Sequence, residues 1–299
     1  MIRKKRFLVV NSFSLGNKGG NPAAIFCDGE GISQVVMQEI AKQLNLVETV
    51  FVLPSKEKDI DFQIKYFTPS EEIALAGHPT IAAFVALLKE GRIKLEEKNE
   101  YSIQTLKGRQ FISGDNHNGD IVFTMKFPEP MFIPLKIDKK KIARILELSE
   151  EDLLDTLPVE AVDTGLGHLI IPVKSLNALM KIKRNTKVLK EFCSEIGVRE
   201  IQAFTFETID QGVDIHTRNI CPREGVEDPA CGVGNSAVGS YLLKNHYLDQ
   251  LEVTIKAEQG HIVEMPSLIE IKVNRNGRKI EVFVGGSGRV VIEGDYILG

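Results

Sequence analysis

The sequence predicts an α/β (α+β) protein made of a duplicated domain, each half a curved mixed sheet around a mainly buried central helix. Three observations carry this. Ala76-Gly-His-Pro-Thr-Ile-Ala-Ala-Phe-Val-Ala-Leu-Leu-Lys has the same shape as Cys231-Gly-Val-Gly-Asn-Ser-Ala-Val-Gly-Ser-Tyr-Leu-Leu-Lys, with Gly77 on Gly232 and Leu87-Leu88 on Leu242-Leu243. Upstream, Ile40 to Val52 resembles Phe192 to Phe204, which sets Glu48 opposite Glu200. Further up, Gly20-Asn-Pro-Ala-Ala-Ile-Phe faces Gly165-Leu-Gly-His-Leu-Ile-Ile. A repeat of about half a chain means a duplicated domain and not a solenoid. The two glycine-entered runs are apolar nearly all round, and such helices are buried all round. We expect an N-terminal domain over 1–128 and a C-terminal domain over 129–299, with the last segment a candidate to return to the first.

The elements follow in order. Arg6 to Phe13 reads as a strand, Ser14 to Gly20 as a loop, and Ala23 to Cys27 as a short strand. Ser33 caps a helix to about Leu44, with Val36, Ile40, Ala41 and Leu44 on one face. Glu48 to Leu53 is a strand, and Asp61 to Phe67 alternates Phe62, Ile64 and Tyr66 with polar neighbours. The first central helix is expected to begin near Pro79 or Thr80. Strands fill Lys94 to Phe127, with Gly114 to Gly119 as a hairpin tip in which His117 is a solvated turn residue. Pro128 to Pro134 is an irregular crossing, Asp138 to Glu147 a charged surface helix, and Val159 to Val173 restarts the opening pattern. A helix over Lys187 to Ile196 precedes strands at Ala203 to Phe206 and Val213 to Asn219. The second central helix is expected to begin near Asn235 or Ser236, either able to cap it. The tail reads as strands at Leu251 to Ala257, Ile262 to Met265, Ile269 to Val273 and Ile280 to Gly286, then Arg289 to Glu293 and a final turn.

Composition narrows the function classes. The 299 residues suffice for two cores, and 43% hydrophobic with 26% charged residues is ordinary globular usage. A formal net charge of -4 favours neither nucleic acid nor an anionic membrane as a partner. The Lys/Arg clusters at Arg3 to Arg6, Lys139 to Lys141 and Lys181 to Arg184 read as solvated surface. No run of eighteen apolar residues exists, so no membrane helix is expected. Cysteines stand at 27, 193, 221 and 231 without a CxxC pair, and His is sparse around them in sequence. No metal site is expected, and the thiols read as free ones of a reducing, cytoplasmic compartment. Phe7-Leu-Val-Val is too short for a signal-peptide core and reads as the first strand. Neither a dinucleotide fingerprint nor a P-loop occurs. No cofactor is expected.

The chemistry concentrates at the two glycine-entered helix starts. Each offers free backbone N–H groups, which suit a carboxylate. A cleft between the two domains, lined by Gly77-His78 and by Gly232-Val233-Gly234, is the expected place for a small carboxylate metabolite. Cys231 sits beside such amides, a position that lowers a thiol pKa. Taken singly, each residue also has a structural reading. Glu48 is an edge residue of a strand, His78 a cap of backbone groups, Asp228 the opener of an Asp-Pro turn, and Cys231 a small buried thiol. Taken together, they make a carbon-acid site. A carboxylate removes a proton next to a carbonyl or carboxylate and returns it elsewhere, while an oriented imidazole and backbone donors stabilise the charge that develops.

The sequence resembles the phenazine-biosynthesis isomerase/epimerase family (PhzF-like), whose members share the diaminopimelate epimerase-like fold. The stretches that carry the resemblance are Gly20-Asn21-Pro-Ala-Ala-Ile-Phe, Glu48-Thr-Val-Phe, Phe67-Thr-Pro-x-x-Glu, Gly77-His-Pro-Thr, Pro222-Arg-Glu-Gly, Glu227-Asp-Pro-Ala, Gln259-Gly and Val284-Gly-Gly. The resemblance implies that Glu48 is the acid/base glutamate, and that His78 and Asp228 complete the catalytic set. It implies proton transfer without a cofactor. Two departures stand out. The family often continues Asp-Pro-Ala with Thr-Gly-Ser, where this chain has Cys231-Gly232-Val233, so the serine hydroxyl at Val233 is missing. Ala230-Cys-Gly-Val-Gly-Asn instead resembles the second cysteine loop of two-thiol amino-acid epimerases, yet the repeat partner of Cys231 is Ala76.

The first expectation is therefore a cofactor-independent isomerase moving a proton on a small carboxylic acid through Glu48. One rival is a racemase or epimerase using Cys231 on one face. The other is a small-acid-binding protein without turnover. A homodimer is expected for such folds, although the sequence itself does not carry it.

Overall fold

A computed structural model describes residues 3–298 apart from 118, 222–224, 248–250 and 278. Pro222, Arg223 and Glu224 of the Pro222-Arg-Glu-Gly stretch lie outside the described residues. The chain divides into two compact units. One joins the residues up to Lys126 with those from Gly285 onward, and the other spans Phe127–Val284.

The first unit begins with β1 (Arg3–Ser12), β2 (Asn21–Phe26), α1 (Gln34–Leu44), β3 (Glu48–Pro54), β4 (Phe62–Phe67) and β5 (Glu72–Ile73). It continues with α2 (Gly77–Lys89), β6 (Glu100–Thr105), β7 (Gly108–His117) and β8 (Asp120–Lys126). β1 pairs antiparallel with β2, β2 parallel with β3, and β3 antiparallel with β4. β4 then pairs parallel with β6 and antiparallel with β5, and β6 to β8 form a meander.

α2 packs against β1, β2, β3 and β8, so the sheet must curve to reach it. α1 covers the opposite face, where Met37, Ile40 and Ala41 meet Phe26, Phe51 and Phe67. With both faces covered, β2 and β3 carry nearly continuous apolar runs. Ser33 Oγ accepts from Val36 N–H and caps α1 as expected. The buried stripe differs by one position from the expected one, since Met37 is buried and Val36 is 39% exposed. Both stripes share Ile40 and Ala41, and the three phenyl rings beneath select the flexible Met37.

The second unit contains β9 (Met131–Ile133), α3 (Lys139–Leu146), β10 (Glu160–Asp163), β11 (Gly167–Pro172), α4 (Leu176–Lys181) and α5 (Thr186–Ile196). It goes on through β12 (Glu200–Thr205), β13 (Ile215–Asn219), α6 (Gly232–Lys244), β14 (Glu252–Gln259), β15 (Ser267–Asn276) and β16 (Lys279–Gly286), whose last two residues belong to the first unit. β10 pairs antiparallel with β11, β11 parallel with β12, β12 antiparallel with β13, β13 parallel with β14, and β14 antiparallel with β15. This is the same sequence of directions as β1-β2-β3-β4-β6-β7, so the duplication extends to the strand ladder. α6 lies against β10, β11, β12 and β15, as α2 does in its own unit. α3, α4 and α5 cover the outer face through Ile142, Leu179, Leu189 and Phe192.

The final strand, β17 (Gly288–Leu298), runs antiparallel along the whole of β1. The sequence suggests only Arg289 to Glu293 there. A long antiparallel partner satisfies the otherwise open edge of β1, which local alternation does not reveal. Two other expectations change. Gly114 to His117 belongs to the β7–β8 ladder, which closes at His117↔Asp120, so the hairpin tip is narrower than composition suggests. Ile262 to Met265 is no strand, because a 3₁₀ turn covers His261–Val263 between left-handed residues Gly260 and Glu264.

Both central helices start earlier than expected. α2 begins at Gly77, with Pro79 in its first turn, where a missing N–H costs no helical bond. α6 begins at Gly232, and its cap is the Cys231 thiol, whose Sγ accepts from Gly234 N–H at 3.3 Å. The polar residues of α6 are satisfied locally. Ser240 Oγ donates to Ser236 O at 2.8 Å and Tyr241 Oη to Pro158 O at 2.6 Å. Gly239 is required by close packing, since a Cβ there would stand 2.5 Å from Ile271 Cγ2 and 3.1 Å from Val273 Cγ1. Gly239→Ala should therefore cost about 1–3 kcal/mol by overpacking. A denaturant titration checks this. In an Ile271→Ala background, which removes Cγ2, the same change should cost less, and an unchanged midpoint in the single variant would contradict the packing argument.

Candidate active site

In the first unit the strand mouth and the helix start come together. Glu48 opens β3, paired with Ala23 of β2, and is 5% exposed. His78 is the second residue of α2 and is also buried. Glu48 Oε2 and His78 Nε2 lie 3.1 Å apart. Asn21, 2% exposed, opens β2 opposite Ser12, whose Oγ donates to Asn21 O at 3.2 Å. Ala76 supplies no side-chain cap to α2, so the N–H groups of Gly77 and His78 keep the anion-binding character of a helix start. Thr80 Oγ1 turns back to Ala76 O and also meets Tyr66 Oη at 2.7 Å, which fixes the first turn against β4.

In the second unit Glu200 opens β12, just as Glu48 opens β3. Across the parallel pairing stands His168, in register with Glu200 as Ala23 is with Glu48. His168 Nδ1 is 2.8 Å from Leu166 O, which can only accept, so Nδ1 carries a proton. Nε2 then faces Glu200 Oε2 at 3.2 Å and Cys231 Sγ at 3.8 Å. Asn219 Nδ2 donates to the same Glu200 oxygen at 2.9 Å. The Glu–His–Cys group is buried throughout, and its donor atoms all lie within 4.8 Å of one another, a set that could also hold a metal ion.

Each unit thus has a Glu–His pair at an equivalent strand start, with the imidazole taken from a different element. Val233 stands at the repeat position of His78, and Ala23 at that of His168. Sequence reasoning misses His168 and Asn219. The signal is present in Glu200 opposite Glu48 and in the parallel offset that sets His168 beside it.

Asp228 lies in the loop before α6, half-buried and bridged to Asn219. Its Oδ1 accepts from Ala230 N–H at 2.8 Å, so one oxygen holds the turn. Gln259 braces this loop. Its Nε2 donates to Asp228 O at 2.7 Å, and its Oε1 accepts from Asn235, Thr217 and Gln202 at 2.8, 2.9 and 3.0 Å. Gly232 and Gly234 are buried behind Cys231, and Val233 is half-buried. The predicted residues therefore fall into two groups: Asn21, Glu48, Gly77 and His78 in one unit, and Asp228, Cys231, Gly232, Val233 and Gly234 in the other.

One expectation reverses. The helix start by itself favours a Cys231 thiolate. Burial instead pushes the thiol well above its ordinary range, and the carboxylates of Asp228 and Glu200 add to this. The Gly234 N–H and the Asn219 amide oppose it without prevailing.

The sequence profile of the phenazine biosynthesis-like family (PhzC-PhzF) matches residues 10–294. The chain belongs to this family. It is 32% identical to an uncharacterized isomerase of Clostridium acetobutylicum, over 100% of both chains. It is 31% identical to the uncharacterized isomerase YfhB of Bacillus subtilis, over 96% of both. Among solved structures, a PhzF-family phenazine biosynthesis protein of Bacillus anthracis matches with a TM-score of 0.90 at 28% identity, covering 99% of this chain and 100% of that one. The duplicated diaminopimelate epimerase-like architecture is that of the family. Isomerase or epimerase chemistry on small acids is the general class that goes with it. Among the described residues no helix is long and apolar enough to cross a membrane.

Proposed function

We propose that the protein is an isomerase that moves a proton on a small carboxylic acid, with Glu48 as the proton carrier. The observation that carries the reading is the buried Glu48–His78 contact, 3.1 Å long, at the uncapped start of α2. The substrate carboxylate binds at the N–H groups of Gly77 and His78. The Glu48 carboxylate takes a proton from the adjacent carbon, giving a protonated Glu48 and a delocalised enolate-type anion. The protonated Glu48, whose carboxyl proton exchanges with solvent, returns a proton to another carbon, the double bond shifts, and the carboxylate is restored. No electrons are gained or lost, so the step needs no electron carrier. His78 Nε2 orients the carboxyl group, and the helix-start amides stabilise the developing charge.

The test is incubation with a panel of small unsaturated, hydroxy and amino acids in D₂O, read by NMR. Deuterium entering a carbon with a displaced double bond supports the proposal. Exchange with inversion and no displacement supports the epimerase reading instead. Absence of exchange across the panel, with the acids still shifting the amide signals of α2, supports a binding protein.

The His168–Cys231 approach gives the epimerase reading its one specific support. The raised thiol pKa opposes it, because the thiolate is the form that removes a proton. Cys231→Ala should keep most of kcat and Cys231→Ser nearly all of it. KM is free to rise, since the thiol caps α6, so kcat is the quantity to compare. A loss of kcat above about a hundredfold in the folded serine variant, the low end of what a positioned proton carrier gives, would move the assignment to a Cys231-dependent epimerase.

A further inference from the structure

A second histidine cluster lies in the second unit, built from residues that the proton-transfer reading does not use. His216, on β13, is fully buried, and its Nδ1 is 2.7 Å from Glu258 Oε1 at the end of β14. Glu258, equally buried, is pinned further by the N–H groups of Ile209 and Asp210 at 2.5 and 2.8 Å. His261 lies three residues on, in the 3₁₀ turn, with Nε2 3.0 Å from Asp210 Oδ2. The two imidazole centroids are 5.2 Å apart.

Each ring therefore gives one nitrogen to a carboxylate, and the other nitrogen is left over. His216 Nε2 and His261 Nδ1 are both buried from solvent and have no hydrogen-bond partner among the described residues. Orphaned polar atoms of this kind are rare and costly in a folded protein. Two of them on neighbouring rings, both with carboxylate partners behind them, form the arrangement in which an imidazole binds a metal. The carboxylate takes the N–H, fixes the tautomer and raises the basicity of the free nitrogen. A donor atom of each of His216, Glu258 and His261 lies within 4.8 Å of the others. Two carboxylates and two neutral imidazoles carry two negative charges, which a divalent ion balances.

We propose that His216 and His261 bind a divalent transition-metal ion of the Zn²⁺, Co²⁺ or Ni²⁺ type, with Glu258 and Asp210 as the carboxylates behind them. Imidazole with carboxylate selects such ions over Ca²⁺ and Mg²⁺, which prefer oxygen alone. The sequence gives no hint, because the two histidines are far apart in the chain and meet only through the β13–β14 pairing. The ion serves as a brace. His216 and Glu258 directly precede Thr217 and Gln259, which hold Asn235 and the Asp228 carbonyl. His261 follows Gly260, whose left-handed φ of +85° and absent side chain let the turn press against Pro229 O. Metal binding ties this turn to the strands and fixes the Asp228 loop. The proposal is independent of the role of Glu48, and neither fails with the other.

The test uses the full chain, stripped with chelator, then titrated with Zn²⁺ by calorimetry and with Co²⁺ by absorption. One ion should bind per chain, and the Co²⁺ spectrum should lack a thiolate charge-transfer band. Saturation with Zn²⁺ at about a hundred times Kd should raise Tm by about 5 °C. His261→Gln, in a partly exposed turn, should weaken binding at least tenfold while keeping the circular dichroism of the parent. Asp210→Asn, behind the ligand, should weaken it about tenfold. Cys231→Ser should leave it unchanged. No binding at 100-fold excess metal would overturn the proposal, as would equal affinity in the folded His261→Gln protein. A thiolate band, or loss of binding in Cys231→Ser, would place the metal at His168–Glu200–Cys231 and overturn it as well.

Discussion

Glu48→Gln should lower kcat by about two to four decades, the usual contribution of a positioned acid–base group. The change keeps the shape and hydrogen-bonding length of the side chain but removes the proton acceptor. The glutamine amide would still reach His78 Nε2, so the start of β3 and the first turn of α2 should hold. Tm should accordingly stay close to that of the parent. Solvent deuterium incorporation into the substrate should fall in step with kcat, because both depend on the same proton transfer. A purely structural role would lower Tm and leave exchange tracking the folded fraction. Near-normal turnover in a folded Glu48→Gln protein would remove Glu48 from the mechanism.

Breaking the buried Arg218–Glu227 pair should give a large stability loss. Arg218 is 2% exposed and grips Glu227 through two parallel bonds, Nε to Oε1 at 2.7 Å and Nη2 to Oε2 at 2.9 Å. Its Nη1 donates to Leu179 O at 2.7 Å, a carbonyl at the end of α4. Glu227 immediately precedes Asp228, so this fork anchors the loop that leads to Cys231. Arg184 adds a second cation 3.6 Å from Glu227 Oε2 and donates to Ile220 O and Gly225 O. Removing one partner strands a buried charge. Arg218→Met or Glu227→Leu alone should cost about 3–5 kcal/mol, lowering Tm by about 10 °C. The double variant should recover much of the loss, because an apolar pair strands no charge. Chemical denaturation of the two single variants and the double variant gives the coupling. A single-variant cost below about 1 kcal/mol, the scale of an exposed pair, would show that the fork is not holding the loop.

The first of these sites is legible in the sequence and the second is not, for a physical reason. Glu48 stands at the start of an apolar run and has a repeat partner, and both can be read from the order of residues alone. In the sequence Arg218 belongs to the Val213–Asn219 strand and Glu227 to the Glu227-Asp-Pro-Ala stretch, with nothing to pair them. Only the closure of β13 against the Asp228 loop buries them together. The same contrast holds for the caps. Ser33 is recognisable because a hydroxyl followed by an amphipathic run is a local signal. Local propensity places the start of α6 three or four residues late, because Asn235 and Ser236 are better caps on average than Cys. Their side chains are committed elsewhere, Asn235 to Gln259 and Ser236 to Val233 O.

The duplication, the two buried central helices, the family and the candidate positions Glu48, His78 and Cys231 are all written in the order of residues. These depend on periodicity and on motifs that a helix or strand carries within a few residues. Tertiary structure alone decided which donors meet. It set His168 beside Glu200 and Cys231, His216 beside His261, and β17 along β1, all between residues far apart in the chain. It also decided the state of the Cys231 thiol. The helix start and the glycines around it argue locally for a thiolate. Burial among Asp228 and Glu200 pushes the other way and prevails, because the desolvation of a charge depends on everything folded around it and not on its neighbours in sequence.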